Sequence, residues 1–243
     1  AAAAVPPRPV APPRQRTEPQ PAPPPPAMSS VPPRPAPVSA LQQMPSVSSG
    51  VSLPIEERAR ILDALNNEQV RGCTKCRLHV QRKNTVFGEG ALDASLMFIG
   101  EGPGETEDET GRPFVGRAGQ LLTKMIAAMG LRRDQVYIAN VVKCRPPGNR
   151  TPAPDEVGTC TPYLVQQILT IRPKVIVTLG LPATQYILSS TRPMRELRGN
   201  WHEWHGIKVM STYDPSYVLR SYTPQVRGVV WSDLQKVMHE LGL

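Results

Sequence analysis

The sequence predicts an α/β fold, a three-layer α/β/α arrangement around a central, mostly parallel four-stranded sheet. Three observations predict it. Apolar runs of strand length alternate with longer stretches whose apolar residues recur at helical spacing. Such alternation calls for a sheet covered on both faces. The run ending at Ile99 opens into a long loop rich in glycine and carboxylates, and a helical pattern follows at Ala118, Leu122, Met125 and Met129. Strand, loop and helix in that order mark a ligand site at the carboxyl edge of an α/β sheet.

The elements follow in order. Ser52 is placed to cap a first helix, with Pro54 in its opening turn and Ile55, Ala59, Leu62 and Leu65 as its apolar stripe. Strands are expected at 95–99, 136–142, 174–179 and 207–213. Helical patterns separate them at 115–129, 154–171 and 182–188, and a last helix aligns Val230, Leu234, Val237 and Leu241. No internal repeat is visible.

Composition divides the chain in two. Sixteen of its 29 prolines precede residue 51, in a segment almost free of large apolar side chains. Residues 1–50 therefore read as a disordered Pro/Ala-rich tail, since they bury too little to offset the entropy of ordering. At full polyproline extension the tail would reach on the order of 150 Å. A spacer is the favoured reading, and a partner for the proline-rich tail is the other. Residues 51–243 suffice for one substantial core. The chain opens on Ala1, as a fragment would. Of the net charge of +8, the tail supplies +3, through four arginines against Glu18. The remaining basic excess suits a polyanion. No apolar run approaches membrane-spanning length and no signal-peptide pattern appears, so a soluble, cytoplasmic monomer is expected, with no membrane.

Three of the expected strands end in reactive or recognising side chains: Glu101 after the first, Asn140 after the second, and Asp214-Pro215-Ser216 after the fourth. Singly each is a cap or turn residue. Parallel strands put all three on one rim, where convergent polar groups make a site. The cysteines form a second constellation. Cys73 and Cys76 stand in a C-x-x-C, Cys144 follows a strand, and Cys160 lies in the next helix. Four cysteines in such a domain point to metal before disulfides, and spacing alone does not separate zinc from an iron–sulfur cluster. Four unrelated buried thiols are the plain alternative, and a redox C-x-x-C lacks its usual strand-before, helix-after context. Lys75, Arg77, Lys143 and Arg145 would offset the charge of four thiolates.

Together these pieces resemble the family 4, iron–sulfur uracil-DNA glycosylases over nearly all of 53–242. The resemblance rests on Gly100-Glu101-Gly102-Pro103-Gly104-Glu105, on the run from Gly111 to Gly119, on the run from Asn140 to Arg150, and on the four cysteines in order. It implies a 4Fe-4S iron–sulfur cluster on Cys73, Cys76, Cys144 and Cys160, favoured as structural. It implies uracil-containing DNA as the partner and hydrolysis of the bond between uracil N1 and deoxyribose C1′. The base would leave the stack at a cost of a few kcal/mol and enter a pocket. By the resemblance Phe114 stacks on the everted ring and Asn140 bonds its edge. A carboxamide offers an acceptor and a donor side by side, matching uracil N3–H and O4 but not cytosine. Glu101, Gly102, Glu107 and Asn149 match positions lining or bracing the pocket. Read without the resemblance, residues 105–109 are a solvated acidic loop. Arg112, Arg117, Ser216 and Arg220 fall where loops would meet phosphates. Tyr217, Val218 and Leu219 resemble the wedge that fills the gap left by a flipped base, or else begin the final helix. No lysine is placed by motif for Schiff-base chemistry, so a monofunctional enzyme is implied.

Two departures stand out. Gly102 replaces the alanine of the usual Gly-Glu-Ala-Pro-Gly, which removes no chemistry. Asp214 replaces the histidine of the usual His-Pro-Ser, and that histidine donates to uracil O2. An ionised aspartate cannot donate, and loss of such a donor typically costs about 10²–10³ in rate. Three outcomes are consistent with Asp214: a carboxylic acid kept protonated by burial, a general base toward water, or a catalytically impaired protein that binds uracil or damaged DNA. A shift to another deaminated base is a further alternative. His202 and His205 read as surface residues beside a hairpin turn.

Overall fold

The computed structural model describes residues 53–243. The tail and the Ser52 cap lie outside the described residues.

The sheet has six strands: β1 (Glu89–Gly90), β2 (Leu96–Gly100), β3 (Tyr137–Asn140), β4 (Val175–Leu179), β5 (Trp201–Trp204) and β6 (Ile207–Thr212), ordered β1-β3-β2-β4-β6-β5. The four inner strands are the expected ones and pair in parallel, with Gly100 beside Asn140, Phe98 beside Val177, and Val177 beside Met210. The two additional strands are antiparallel edges. β1 is too short to show a period, and the half-exposed Trp-His-Glu-Trp of β5 carries no buried run. His205 and Gly206 turn the β5–β6 hairpin with positive φ; His205 is exposed as expected, whereas His202 is half-buried in β5 with Nε2 2.8 Å from the Leu197 carbonyl.

The helices are α1 (Ile55–Ala64), α2 (Glu105–Thr110), α3 (Arg117–Ala128), α4 (Pro154–Ile171), α5 (Leu181–Leu188), α6 (Met194–Leu197), α7 (Pro215–Arg220) and α8 (Pro224–Leu241). Alternate strand residues enter opposite cores. Met97, Ile99, Ile176 and Val209 pack with Leu62, Leu164, Ile168 and Ala183 from α1, α4 and α5. Leu96, Phe98, Val177 and Met210 pack with Leu122 and Ile126 of α3 and with Leu234 and Val237 of α8. The expected three layers result. Buried Arg58 ties α1 down by donating to the carbonyls of Leu53, Leu92 and Ile171.

Two segments differ from the reading of their residues alone. Residues 105–110 are helical rather than a solvated loop. Gly111 ends α2 in the left-handed conformation, and both Glu107 and Asp108 are buried. Asp108 Oδ1 accepts backbone N–H groups from Lys83 at 2.9 Å and Asn84 at 3.3 Å, so buried carboxylates here satisfy other segments' donors. Residues 215–220 form a separate short helix, and the final helix starts at Pro224.

From β2 the chain moves outward to β3 and then crosses over to β4 on the other side. The ends of β2 and β4 thus flank the point where strand order reverses, the place where open α/β sheets bind ligands.

Candidate active site and cysteine centre

A cavity of about 570 Å³ opens at that point, lined by residues from the ends of β2, β3, β4 and β6. Glu101, Gly102, Glu107, Phe114, Asn140, Asn149, Asp214, Ser216 and Arg220 all line it. Arg112 and Arg117 do not. Arg112 pairs with Glu89 of β1 at 2.8 Å, and Arg117 is exposed in the first turn of α3.

Phe114 and Asn140 meet over Gly100. A β-carbon on Gly100 would lie 2.5 Å from Asn140 Oδ1 and 2.5 Å from Phe114 Cζ, so only glycine lets the amide and the ring approach so closely. Asn140 is buried, and its Oδ1 is the buried side-chain polar atom left without a hydrogen-bond partner among the described residues. Such an orphaned acceptor on a cavity wall asks for a donor from a ligand. Phe114 takes a left-handed backbone conformation (φ 49°), a strained state for a bulky residue. Glu107 holds it there. Its Oε1 accepts the next two backbone N–H groups, Val115 and Gly116, each at 2.8 Å. Gly119 completes the seat, since a β-carbon there would fall 1.9 Å from the Phe114 carbonyl. Asn149 also has positive φ, 56°, and its Oδ1 accepts from Arg145 Nε at 2.7 Å.

Two carboxyls face the cavity. Burial pushes Glu101 above the ordinary carboxylate range and negative Asp214 adds to that, while a hydrogen bond with Thr151 works against it. Burial also raises Asp214, opposed by its bonds to Ser216. Asp214 Oδ1 accepts Ser216 N–H at 2.7 Å and so caps α7. Within the wedge segment, Tyr217 is exposed and Val218 is buried.

Reading strand ends for polar residues missed the apolar wall. Leu179 at the end of β4, Gly180 after it, Met194 of α6 and Tyr213 all line the cavity. Gly180, with φ 87°, was the available signal, a glycine directly after a buried strand.

Four residues after Asn140 the chain reaches Cys144. Cys73, Cys76, Cys144 and Cys160 line one small cavity and form no disulfides. Three of the four thiols have named partners. Tyr163 Oη lies 3.5 Å from Cys73 Sγ, Arg82 Nη1 donates to Cys144 Sγ at 3.2 Å, and Lys143 N donates to Cys160 Sγ at 3.2 Å. Burial pushes the Cys160 thiol up to about 12 and raises those of Cys76 and Cys144. A metal would reverse this, because the thiolate is the ligand. Among the described residues no three His, Cys, Asp or Glu side chains are set for a single ion. Four soft donors around one cavity suit a thiophilic metal centre by their chemistry. Buried Lys143 links the two places, its Nζ donating to the Asn140 carbonyl at 2.9 Å and to Gln167 Oε1 at 2.6 Å. Glu156 braces the same region, accepting from Arg77 at 3.0 Å, Arg150 at 2.6 Å and Ala153 N–H at 2.7 Å.

Comparison with known proteins agrees with this geometry. Residues 87–235 match the uracil DNA glycosylase superfamily. A type-4 uracil-DNA glycosylase of Thermotoga maritima is 50% identical over 172 residues, which is 70% of this chain and 90% of that protein. One from Saccharolobus solfataricus is 46% identical over 184 residues, covering 72% and 84%. A third, from Archaeoglobus fulgidus, is 46% identical over 177 residues, covering 70% and 88%.

Proposed function

Because the chain belongs to the type-4 uracil-DNA glycosylases, within the uracil DNA glycosylase superfamily, we propose that its cavity receives an everted uracil from DNA, where the bond from N1 to deoxyribose C1′ is hydrolysed and an abasic site is left. The observation that carries this reading is the unpartnered Asn140 Oδ1 beside the Phe114 ring. Uracil N3–H supplies the missing donor and O4 accepts from the same carboxamide. Cytosine offers N4–H₂ donors where O4 should be and no proton on N3, so it is refused. Phe114 stacks on the ring, with Glu107 as the residue that positions it.

Negative charge grows on O2 as the base leaves. In this reading Asp214, which caps α7 and lines the cavity, carries a proton and donates a hydrogen bond to O2. Its raised pKa supports the protonated form. The two carboxyls interact electrostatically, which favours one proton between them; with Asp214 as the donor, Glu101 is the carboxylate that orients water toward the cationic sugar. This reading makes the protein an active enzyme and explains how it works without the usual histidine. Among the described residues lining the cavity there is no lysine, in line with a single hydrolytic step.

Cys73, Cys76, Cys144 and Cys160 would hold a 4Fe-4S iron–sulfur cluster. When bound, it supplies a closed four-ligand tie between the segment after α1 and helix α4, and the hydrolysis needs no electron from it. Ser216 and Arg220 at the cavity mouth, with Arg117 and Arg112 outside it, are the phosphate contacts. Incubation with a uracil-containing oligonucleotide, followed by alkaline cleavage, tests the assignment. Cleavage at uracil in single-strand and duplex substrates is expected. A protein that binds the oligonucleotide without ever yielding an abasic site would overturn it.

A further inference from the structure

The corner between α7 and α8 carries aromatic and guanidinium groups in succession, leading outward from the cavity mouth. Tyr213 and Tyr217 line the cavity, with their ring centroids 4.8 Å apart. Arg220 follows on the same wall. Two residues further on, Tyr222 lies in the link between the helices and is 59% exposed. Arg227 covers one part of this ring, its guanidinium carbon 4.7 Å from the centroid and Nη1 donating to the Tyr222 hydroxyl at 3.4 Å.

Packing does not require this arrangement. Tyr222 belongs to neither hydrophobic layer, and its described partner is Arg227. Arg227 sits in the opening turn of α8, at the positive end of an 18-residue helix whose first turn holds no acidic residue. That end of a helix favours anions, so a phosphate beside Arg227 would meet both the guanidinium and the helix end. An exposed aromatic face next to unneutralised guanidinium groups is how proteins hold unpaired nucleotides, by stacking the base and pairing the phosphate.

We propose that Tyr222 and Arg227 form a stacking site for an unpaired nucleobase of the DNA strand next to the everted nucleotide, with Arg227 and Arg220 on the adjoining phosphates. The inference rests on the glycosylase reading and extends its DNA surface beyond the cavity. The ligand is single-stranded DNA of any sequence, since every base has a stacking face. In duplex DNA the flanking bases stay stacked on one another and leave this site unused.

The test uses the full chain and a uracil-free single-stranded oligonucleotide of about a dozen nucleotides, with binding read by fluorescence anisotropy. Tyr222→Ala should weaken binding roughly 5- to 150-fold, the loss of one base–aromatic stack. Tyr222→Phe, which keeps the ring, should stay within about threefold of wild type, the ring being most of the stack. Arg227→Ala should lower the salt slope by about 0.7, one phosphate contact on a single strand. Unaltered thermal midpoints exclude misfolding. Wild-type affinity in Tyr222→Ala overturns the proposal. So does an equal loss in Tyr222→Ala and Tyr222→Phe, or an equal loss on a uracil-free duplex. Because these oligonucleotides contain no uracil, the result is independent of excision. A protein that binds as expected but never cleaves at uracil would refute the glycosylase reading instead.

Discussion

Asn140 and Cys144 stand four residues apart on one segment, yet they serve regions of opposite character. The cavity at the strand ends leaves an acceptor unpaired and holds Phe114 and Asn149 in left-handed conformations. The cysteine cavity has no positive-φ residue among its four thiols, and a donor or hydroxyl accompanies the sulfurs of Cys73, Cys144 and Cys160. The first region is built around a partner that comes and goes, so its incompleteness is useful. The second, in the proposed reading, is a tie between segments of the chain. Variants should therefore separate into those that abolish chemistry and those that loosen the fold.

The widest separation is expected from Asn140→Asp, which keeps shape and loses the amide donor. Excision of uracil should fall about 10²–10³-fold, with iron content unchanged. Normal kinetics would remove Asn140 from recognition, and loss of iron would blur the line between the regions. Cys160→Ser should act in the opposite sense. Iron per protein should drop by more than half, and the thermal midpoint should fall by roughly 5–15 °C, as a loss of a few kcal/mol does in a domain of this size. Stoichiometric zinc in the wild type, or an unchanged midpoint in the variant, would contradict a structural cluster.

Asp214 gives a smaller but more diagnostic effect. As a protonated donor it works below its raised pKa and fails as pH rises through it, so the wild-type rate should decline on the alkaline side. Asp214→Asn donates at every pH; it should stay within about tenfold of wild type and lose that limb. Asp214→His should excise uracil faster. A fall of more than tenfold in the histidine variant would instead make Asp214 a base. Least in size is Glu156, whose carboxyl is held down to about 2, first of all by Arg150. Its stabilising contribution is complete above the ordinary carboxylate range and disappears as pH falls toward 2. Glu156→Gln should be less stable than wild type at neutral pH, and urea midpoints of the two should converge in acid.

The inner strands, the long helices and the reactive strand ends were legible because each is a local pattern with a fixed period. The edge strands were not. β1 is shorter than any period, and β5 is defined by what it pairs with rather than by its own residues. Helix α2 was hidden for a related reason: Glu107 and Asp108 look solvated until one sees whose N–H groups they receive. The apolar wall at Leu179 and Met194 carries no chemistry and gave no signal on its own. Resemblance supplied the roles of Phe114 and Asn140. Their shared contact over Gly100 is visible only in the folded chain.

That contact has a corollary for substitution. There is no room for even one carbon at Gly100, where a β-carbon would stand 2.5 Å from both the ring and the amide oxygen. A single methyl group would push apart two buried side chains, and one of them, Phe114, belongs to a hydrophobic layer itself. The cavity wall and the packing beneath it therefore share one point of failure, so an alanine there strains both together.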